Sequence, residues 1–318
     1  MRIRLLQNCI FDCHFQQPIP GFEPFDVRDN PRPELREFQV FSRVVDQGLH
    51  RSADIVGAVS SRFGAKTCLD GDAIRSWIGR NPGKQVYVVN PWPQWTYAYY
   101  NTLERVPIVH QQKDILDRFQ QVLDIAGVPL DFSRKTRDHQ GNFSMSSFWF
   151  GTAEFWERIM QELVSPVLRL SRRALGGELH DFLYRPITYY GQSDHRAGAL
   201  PFLLERATTL YLQAEWMDRS EFYVRTRQQV LDCCVFPFER DLVNLFGDEV
   251  DAWDQAGIYD DRAMSYFQRA GEHVSQGWLL YLHQHPVSFD NGNPRPGLPW
   301  FSGRQGTHQT GRVMPCGT

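Results

Sequence analysis

Residues 85–94, QVYVVNPWPQ, decide the fold class of this chain. Val86 to Val89 form an uninterrupted β-branched and aromatic run, which is typical of a strand buried on both faces of a sheet. The run passes directly into a polar loop that two prolines make rigid. Rigid loops at strand ends position side chains well, so we predict a substrate site here. Its candidate residues are Asn90 and Gln94 as ligands, with Trp92 and Trp95 stacking on a sugar ring. A rigid turn with packing tryptophans is the alternative.

Other short apolar runs predict further strands, and helical periodicity fills the intervals between them. The predicted strands are Ile3 to Ile10, Ile55 to Ser60 and Ser144 to Phe150. The predicted helices are Glu34 to Gly48, Ala73 to Gly79, Thr96 to Glu104, Lys113 to Ala126, Ala153 to Arg173 with a kink at Pro166, and Leu200 to Trp216. The five prolines between Gln16 and Pro33 predict a loop. This alternation favours an α/β fold, with a sheet that helices cover on both faces.

The composition changes towards the carboxyl terminus. From about Leu231 the chain is helical in pattern and acidic, and after Gln284 it is rich in Gly, Pro and His. We therefore predict two parts: an α/β domain over residues 1–230, and a helical extension with a Gly/Pro-rich tail over residues 231–318.

Bulk composition excludes several classes of protein. With 42% hydrophobic and 22% charged residues, the 318-residue chain is too apolar for disorder. A net charge of -3 offers no field for nucleic acid. We expect no signal peptide and no membrane span, so that any membrane contact is peripheral. The six cysteines show no regular framework, which favours reduced thiols in a cytosol.

Two charged stretches follow predicted strands. Glu34 and Arg36 lie at the start of the helix after the first strand, where open α/β sheets bind ligands. A carboxylate there can hold a ribose, and a guanidinium such as Arg36 or Arg62 can pair with a diphosphate. Helix capping and a solvated charge cluster form the alternative interpretation.

Glu205 stands in the apolar segment 201–206, PFLLER, and Asp194 precedes it in a Gly-containing loop. A carboxylate in a partly dry pocket suits a general base for a sugar hydroxyl. Pairing of Glu205 with an arginine is the structural alternative.

Signatures of other chemistries are absent: the chain has no Walker phosphate loop, GxGxxG, HExxH or GxSxG. Asp70-Gly71-Asp72 resembles a metal-binding DxD, but it opens a helix, where Asp is an ordinary N-cap. We therefore assign no metal ligand and no cofactor. A divalent metal, Mn²⁺ or Mg²⁺, stays open as an alternative.

Six segments, in this order and spacing, give the chain a family resemblance. They are Pro33 to Glu37, Asp54 to Gly57, Ser60 to Thr67 (SSRFGAKT), Gln85 to Pro91 (QVYVVNP), Phe148 to Trp156 and Pro201 to Arg206. Over about residues 1 to 216, they resemble a group of poorly characterised bacterial glycosyltransferases for capsule and O-antigen polysaccharide. The chain departs from that pattern at Ser61, where a Trp would be expected.

The resemblance implies a GT-A-like mixed sheet flanked by helices. It also implies a nucleotide-diphosphate-sugar donor, a glycan or lipid-linked glycan acceptor, and a cytoplasmic location, peripheral at the inner membrane. Glu34, Arg36 and Arg62 would then lie near the donor, Asn90 and Gln94 would line the central cleft, and Asp194 or Glu205 would be the base. A non-catalytic carbohydrate- or nucleotide-binding protein of the same fold, or another α/β sugar-modifying enzyme, are the alternatives.

Overall fold

A computed structural model describes residues 1–189 and 192–284, without the side chains of residues 188–189, 192–196 and 281–284. Its strands are β1 (Ile3–Cys9), β2 (Glu23–Asp26), β3 (Ile55–Ser60), β4 (Val86–Val88), β5 (Trp149–Gly151), β6 (Ile187–Tyr189), β7 (Gln192–Ala197) and β8 (Ser220–Phe222). Six of them form one mixed sheet in the order β2-β1-β3-β5-β4-β8, and β6 and β7 form a separate hairpin. Strand β5 runs antiparallel to both of its neighbours, while the other pairs in this sheet are parallel.

Helices surround this sheet, so the α/β class is confirmed. They are α1 (Asp12–Gln16), α2 (Glu37–Asp46), α3 (Phe63–Thr67), α4 (Gly71–Arg80), α5 (Val106–Val109), α6 (Ile115–Ala126), α7 (Ala153–Ile159), α8 (Ser165–Leu168), α9 (Arg172–Tyr184), α10 (Leu200–Tyr211), α11 (Arg227–Cys233), α12 (Pro237–Ala256) and α13 (Asp261–Gln284). Alternate residues of β1 and β3 enter two separate apolar clusters, one on each face of the sheet. Both faces are therefore buried, which explains why these strands read as continuous apolar runs.

Several predicted elements differ in detail. The proline-rich loop contains the edge strand β2, which tolerates Pro24 because an edge residue can do without a ladder hydrogen bond. The predicted helix over residues 96–104 consists instead of 3-10 turns at Pro93–Tyr97 and Thr102–Arg105. The kink expected at Pro166 takes the form of a π-helical turn, Met160–Val164, between α7 and α8. Asp70 caps α4 by accepting from Ala73 N–H at 2.8 Å, as the N-cap interpretation predicts.

The helical extension packs directly on the loop that follows β4. Trp92 and Trp95 share one apolar cluster with Val274 and Trp278 of α13. The predicted boundary at residue 230 falls inside α11. The segment beyond it is therefore part of the support of the strand-end loop.

The structure bears on the expectations about membrane spans and about the cysteines. Across residues 1–189 and 192–284, no helix is both long enough and apolar enough to cross a bilayer. Cys9, Cys68, Cys233 and Cys234 are reduced, as expected, whereas Cys13 is disulfide-bonded, contrary to expectation.

Candidate functional site

The carboxyl ends of β1, β3 and β4 meet the amino end of β5 at one edge of the sheet. Asn8 pairs with Ser60 across β1 and β3, and Val88 pairs with Trp149 across β4 and β5. In open α/β sheets this edge is where ligands bind, because loops and helix starts converge there.

A group of charged side chains gathers at this edge from three separate segments. Arg36 and Glu37 begin α2, Arg62 and Lys66 belong to the α3 segment, and Glu205 lies in α10; we call these five residues the charged cluster. Each of the others acts electrostatically on Lys66.

Ser146 ties two members of the charged cluster together. Its backbone N–H donates to Glu205 Oε1 at 2.5 Å, and Lys66 Nζ lies 3.4 Å from its hydroxyl oxygen. The segment that leads into β5 therefore forms one wall of the site.

Glu37 and Lys66 both have shifted pKa values. Burial among protein atoms is the main cause that raises the pKa of Glu37 to about 7, and the neighbouring carboxylate of Glu205 is the second. Arg36 and Lys66 act in the opposite direction, each by less than Glu205. Burial, together with the positive charge of Arg62, lowers the pKa of Lys66 to about 8. Two groups that titrate this close to neutral pH suit acid–base work.

The backbone is strained where it borders the charged cluster. Arg36, Ser146 and Ser147 adopt positive φ angles of 50°, 60° and 51°, and they make up half of the non-glycine residues with positive φ in the described chain. Left-handed backbone in such residues is unfavourable and collects at functional sites. The fold therefore holds these loops in place against their local preference.

A buried histidine lies nearby but does not titrate in the neutral range. The His110 ring packs 4.5 Å from the Phe202 ring, over which the Arg36 guanidinium sits at 5.2 Å. Burial, followed by the charge of Arg206, lowers the pKa of His110 to about 3. His110 is thus neutral at physiological pH and does not serve as a base there.

His14 and Ser61 form a second hydrogen-bonded pair near the end of β1. His14 Nδ1 accepts from Ile10 N–H at 3.1 Å, so the proton of the neutral ring lies on Nε2. That nitrogen is 3.3 Å from Ser61 Oγ, to which it donates. This arrangement does not activate Ser61 as a nucleophile, since an activating base would have to accept its proton.

The predicted donor residues are brought together in part. Arg36 and Arg62 both belong to the charged cluster. Glu34 does not: it lies in a 3-10 turn, Pro33–Leu35, and pairs with Arg32 at the surface. The single helix predicted from Glu34 is therefore divided into a 3-10 turn and then α2, because the positive φ of Arg36 interrupts it.

Glu205 is paired rather than free. Its carboxylate lies 3.2 Å from the Arg206 guanidinium and accepts from the Ser146 backbone. The structural alternative for this residue is the one that the geometry supports. Asp194 lies in β7 rather than in the predicted loop, and its side chain falls outside the described residues.

The loop after β4 divides into a part near the site and a part in the core. Trp92 stacks on Trp95 with ring centroids 5.2 Å apart, and Lys66 Nζ lies 5.8 Å from the Trp92 ring. Trp95 is only 2% exposed, and the Arg105 guanidinium covers its ring at 3.9 Å. Sugar stacking on Trp95 is therefore wrong as a prediction, because its faces are already occupied.

Asn90 and Gln94 both lie buried in that loop. Asn90 Oδ1 accepts from Trp92 N–H at 2.9 Å, which holds the turn. Gln94 points away from the charged cluster, with Nε2 3.5 Å from Glu239 Oε2 in the helical extension. Asn90 therefore stays a candidate ligand at the sheet edge, while Gln94 supports the loop.

No group of three or more metal-ligating side chains occurs within the described ranges. Asp70 is engaged as an N-cap, and its neighbour Asp72 is exposed next to Arg75. No protein-family model, curated protein or solved structure matches the chain.

Proposed function

We propose that the protein is a glycosyltransferase that moves a sugar from a nucleotide-diphosphate sugar to a glycan acceptor in surface polysaccharide synthesis. The observation that carries the proposal is the charged cluster, with a carboxyl group of pKa about 7 among cations at the ligand-binding edge of an α/β sheet. All five residues of the charged cluster lie in segments that carry the resemblance to polysaccharide glycosyltransferases, namely 33–37, 60–67 and 201–206.

The cations of the site suit a diphosphate. Burial is the largest cause of the lowered pKa of Lys66, and the positive charges of Arg62 and Arg36 lower it further. A bound diphosphate would offset the repulsion between these cations, and charge-assisted hydrogen bonds to it are stronger than hydrogen bonds between neutral groups. The same cations would stabilise the negative charge that develops on the departing nucleoside diphosphate.

Glu37 is the better candidate for the acceptor base. A transfer that inverts the sugar needs a group that takes the proton from the attacking hydroxyl, and a pKa near the working pH is best for this. Glu205, held in place by Arg206 and Ser146, raises the pKa of Glu37. The base role that the sequence indicated for Glu205 thus passes to Glu37 in this proposal.

The finer fold assignment and the location belong to the same proposal. A mixed sheet with helices on both faces is what a GT-A-like fold requires, and the antiparallel β5 gives the sheet that mixed character. Work at the cytosolic face of the inner membrane on a lipid-linked glycan follows from the resemblance.

Removal of single cations should weaken binding of a nucleoside diphosphate. We expect Arg62→Ala and Lys66→Met to raise the Kd of UDP, GDP or dTDP, whichever the wild type binds, by about 10–100-fold, because each loses one charge-assisted hydrogen bond. Isothermal titration calorimetry measures this. The control is Arg262→Ala, since Arg262 is an exposed arginine of α13 that pairs with Glu249. Equal affinities for all three variants would contradict the assignment.

Chelation tests whether side chains supply the positive charge. We expect nucleoside diphosphate binding to persist in EDTA, because three cationic side chains already converge on the site. A Kd measured with EDTA and then with added Mn²⁺ decides the point. Binding that EDTA abolishes and Mn²⁺ restores would contradict this expectation and make Asp70 and Asp72 candidates again.

A further inference from the structure

Three buried polar atoms at the same sheet edge lack hydrogen-bond partners within the described residues. They are Asn8 Oδ1, Asn90 Nδ2 and Ser147 Oγ, on side chains that are each at most 3% exposed. Buried polar groups in folded proteins are almost always paired, so each such atom calls for an explanation. A ligand that pairs with them is one.

The three residues lie at or just beyond the ends of neighbouring strands, and Ser147, with a φ of 51°, belongs to the turn before β5. Asn8 pairs with Ser60, and the hydrogen bond from Val89 N–H to Phe148 O extends the pairing of β4 with β5 towards Asn90 and Ser147. We call Asn8, Ser147 and Asn90 the polar row. It crosses from β1 to β4, three strand spacings or about 14 Å.

The character of this sheet face changes at the polar row. Two residues further inside, the same face carries Leu6, Ala58, Trp149 and Val88, all of which belong to the main apolar core. An apolar residue at Asn8 or Ser147 would continue that core without an unpaired polar atom. Asn8 and Ser147 therefore do not serve the stability of the sheet, whereas Asn90 also holds the turn after β4 through its Oδ1.

The polar row adjoins the charged cluster. Ser147 directly follows Ser146, which contacts both Lys66 and Glu205. Asn90 lies two residues before Trp92, whose ring faces Lys66. A ligand held by the charged cluster would thus extend onto the polar row.

We infer that the polar row binds the hydroxyl groups of the uncharged sugar in the donor, while the charged cluster binds its diphosphate. This inference rests on the proposed function. Asn8 Oδ1 only accepts, Asn90 Nδ2 only donates, and Ser147 Oγ does both. The row carries no cation, so it suits uncharged hydroxyl groups better than a phosphate or a carboxylate. Hydroxyl groups both donate and accept, so sugar hydroxyls match each kind of group in the row.

The test compares each nucleotide sugar with its own nucleoside diphosphate. Calorimetry would measure Kd for UDP-glucose, UDP-galactose and UDP-N-acetylglucosamine against UDP, and for GDP-mannose against GDP. In the wild type, at least one sugar should tighten binding. Asn8→Leu and Ser147→Ala should each reduce that gain by about tenfold and leave the Kd of the nucleoside diphosphate unchanged. Without ligand, Asn8→Leu should melt no lower than the wild type, since it removes an unpaired buried amide oxygen.

Ser144→Ala is the matched control. Ser144 lies in the same loop and also has a buried hydroxyl without a partner among the described residues, but it precedes the polar row and packs against Thr209 of α10. It should leave the gain from the sugar intact. Melting curves of Ser147→Ala guard against loss of the fold as the cause of any change.

The outcomes separate the polar row from the proposed function. An unchanged gain in Asn8→Leu and Ser147→Ala would overturn the inference, and so would an equal loss for nucleoside diphosphate and nucleotide sugar, which would mean that the row recognises the nucleoside. If the wild type binds no nucleotide at all, the proposed function fails. In that case, stabilisation of the wild type but not of the two variants by tens of millimolar glucose, galactose or mannose would still support the row, and no such stabilisation would overturn it.

Discussion

Replacement of Glu37 by Gln is expected to lower sugar transfer by about 10²–10⁴-fold, the usual contribution of a positioned general base. Gln keeps the shape of the side chain and removes its ability to take a proton. Binding of the nucleoside diphosphate should persist, because the cations of the charged cluster remain. Steady-state turnover and calorimetric Kd, measured on one preparation, check the two parts separately.

Glu34→Gln is the matched control for Glu37→Gln. Both residues lie in the 33–37 segment, but Glu34 pairs with Arg32 at the surface. Its replacement should leave turnover within about twofold of the wild type, as is usual for a surface change that touches no ligand. Turnover that falls equally in both variants, or in neither, would remove Glu37 from the role of base.

The pH dependence of the wild type provides a second readout for Glu37. Since its pKa lies at about 7 in the folded protein, kcat/KM should rise as the pH passes through 7 and the carboxylate forms. The free energy of unfolding should show the opposite trend. The folded state keeps a proton that the unfolded state releases near pH 4.5, so this group lowers stability as pH rises from about 4.5 to 7. Glu37→Gln should lose both dependences.

Replacement of Glu239 by Ala is expected to destabilise the protein by about 3–5 kcal/mol. Glu239 is buried, and its carboxylate accepts from the indole N–H groups of Trp278 at 2.6 Å and Trp95 at 3.3 Å. It also accepts from the backbone N–H of Val235 at 2.8 Å. Alanine would leave all these donors buried without an acceptor. Chemical denaturation with urea measures the loss.

Glu249→Ala, on the same helix, controls for the loss of a glutamate from α12. Its side chain is 44% exposed and pairs with the exposed Arg262, so its removal should cost less than about 1 kcal/mol. If Glu239→Ala is as mild as Glu249→Ala, the helical extension does not hold the loop after β4 in the way described above.

The sequence predicted the sheet better than it predicted the site. Strands β1, β3 and β4 stand out because both of their faces are buried, which makes their apolar runs continuous. The sequence did not predict strand β2, because an edge strand needs few apolar residues and tolerates proline. The turns after β4 differ from the helix that the sequence predicts, because tertiary packing around Glu239, rather than local periodicity, shapes them.

The sequence did not predict those features of the site that depend on residues far apart along the chain. Glu37 and Lys66 lie inside quoted segments, yet no local pattern marks their shifted pKa values, which arise from burial and from charges on other elements. Glu205 is a candidate base in the sequence because it stands in an apolar segment. The structure adds its contacts with the Arg206 guanidinium and with the backbone N–H of Ser146. The sequence does not show that Trp95 is unavailable for sugar stacking, because the Arg105 guanidinium that packs on its ring belongs to a separate turn.

Release of nucleoside diphosphate from a panel of nucleotide sugars is the most direct test of the central claim. Glycosyltransferases generally hydrolyse their donor slowly when the acceptor is missing, so purified protein should liberate UDP, GDP or dTDP from one member of the panel. Glu37→Gln should do so at least 100-fold more slowly, because the attacking water loses its base. A wild-type protein that neither binds nor hydrolyses any nucleotide sugar would contradict the assignment of the charged cluster to a donor diphosphate.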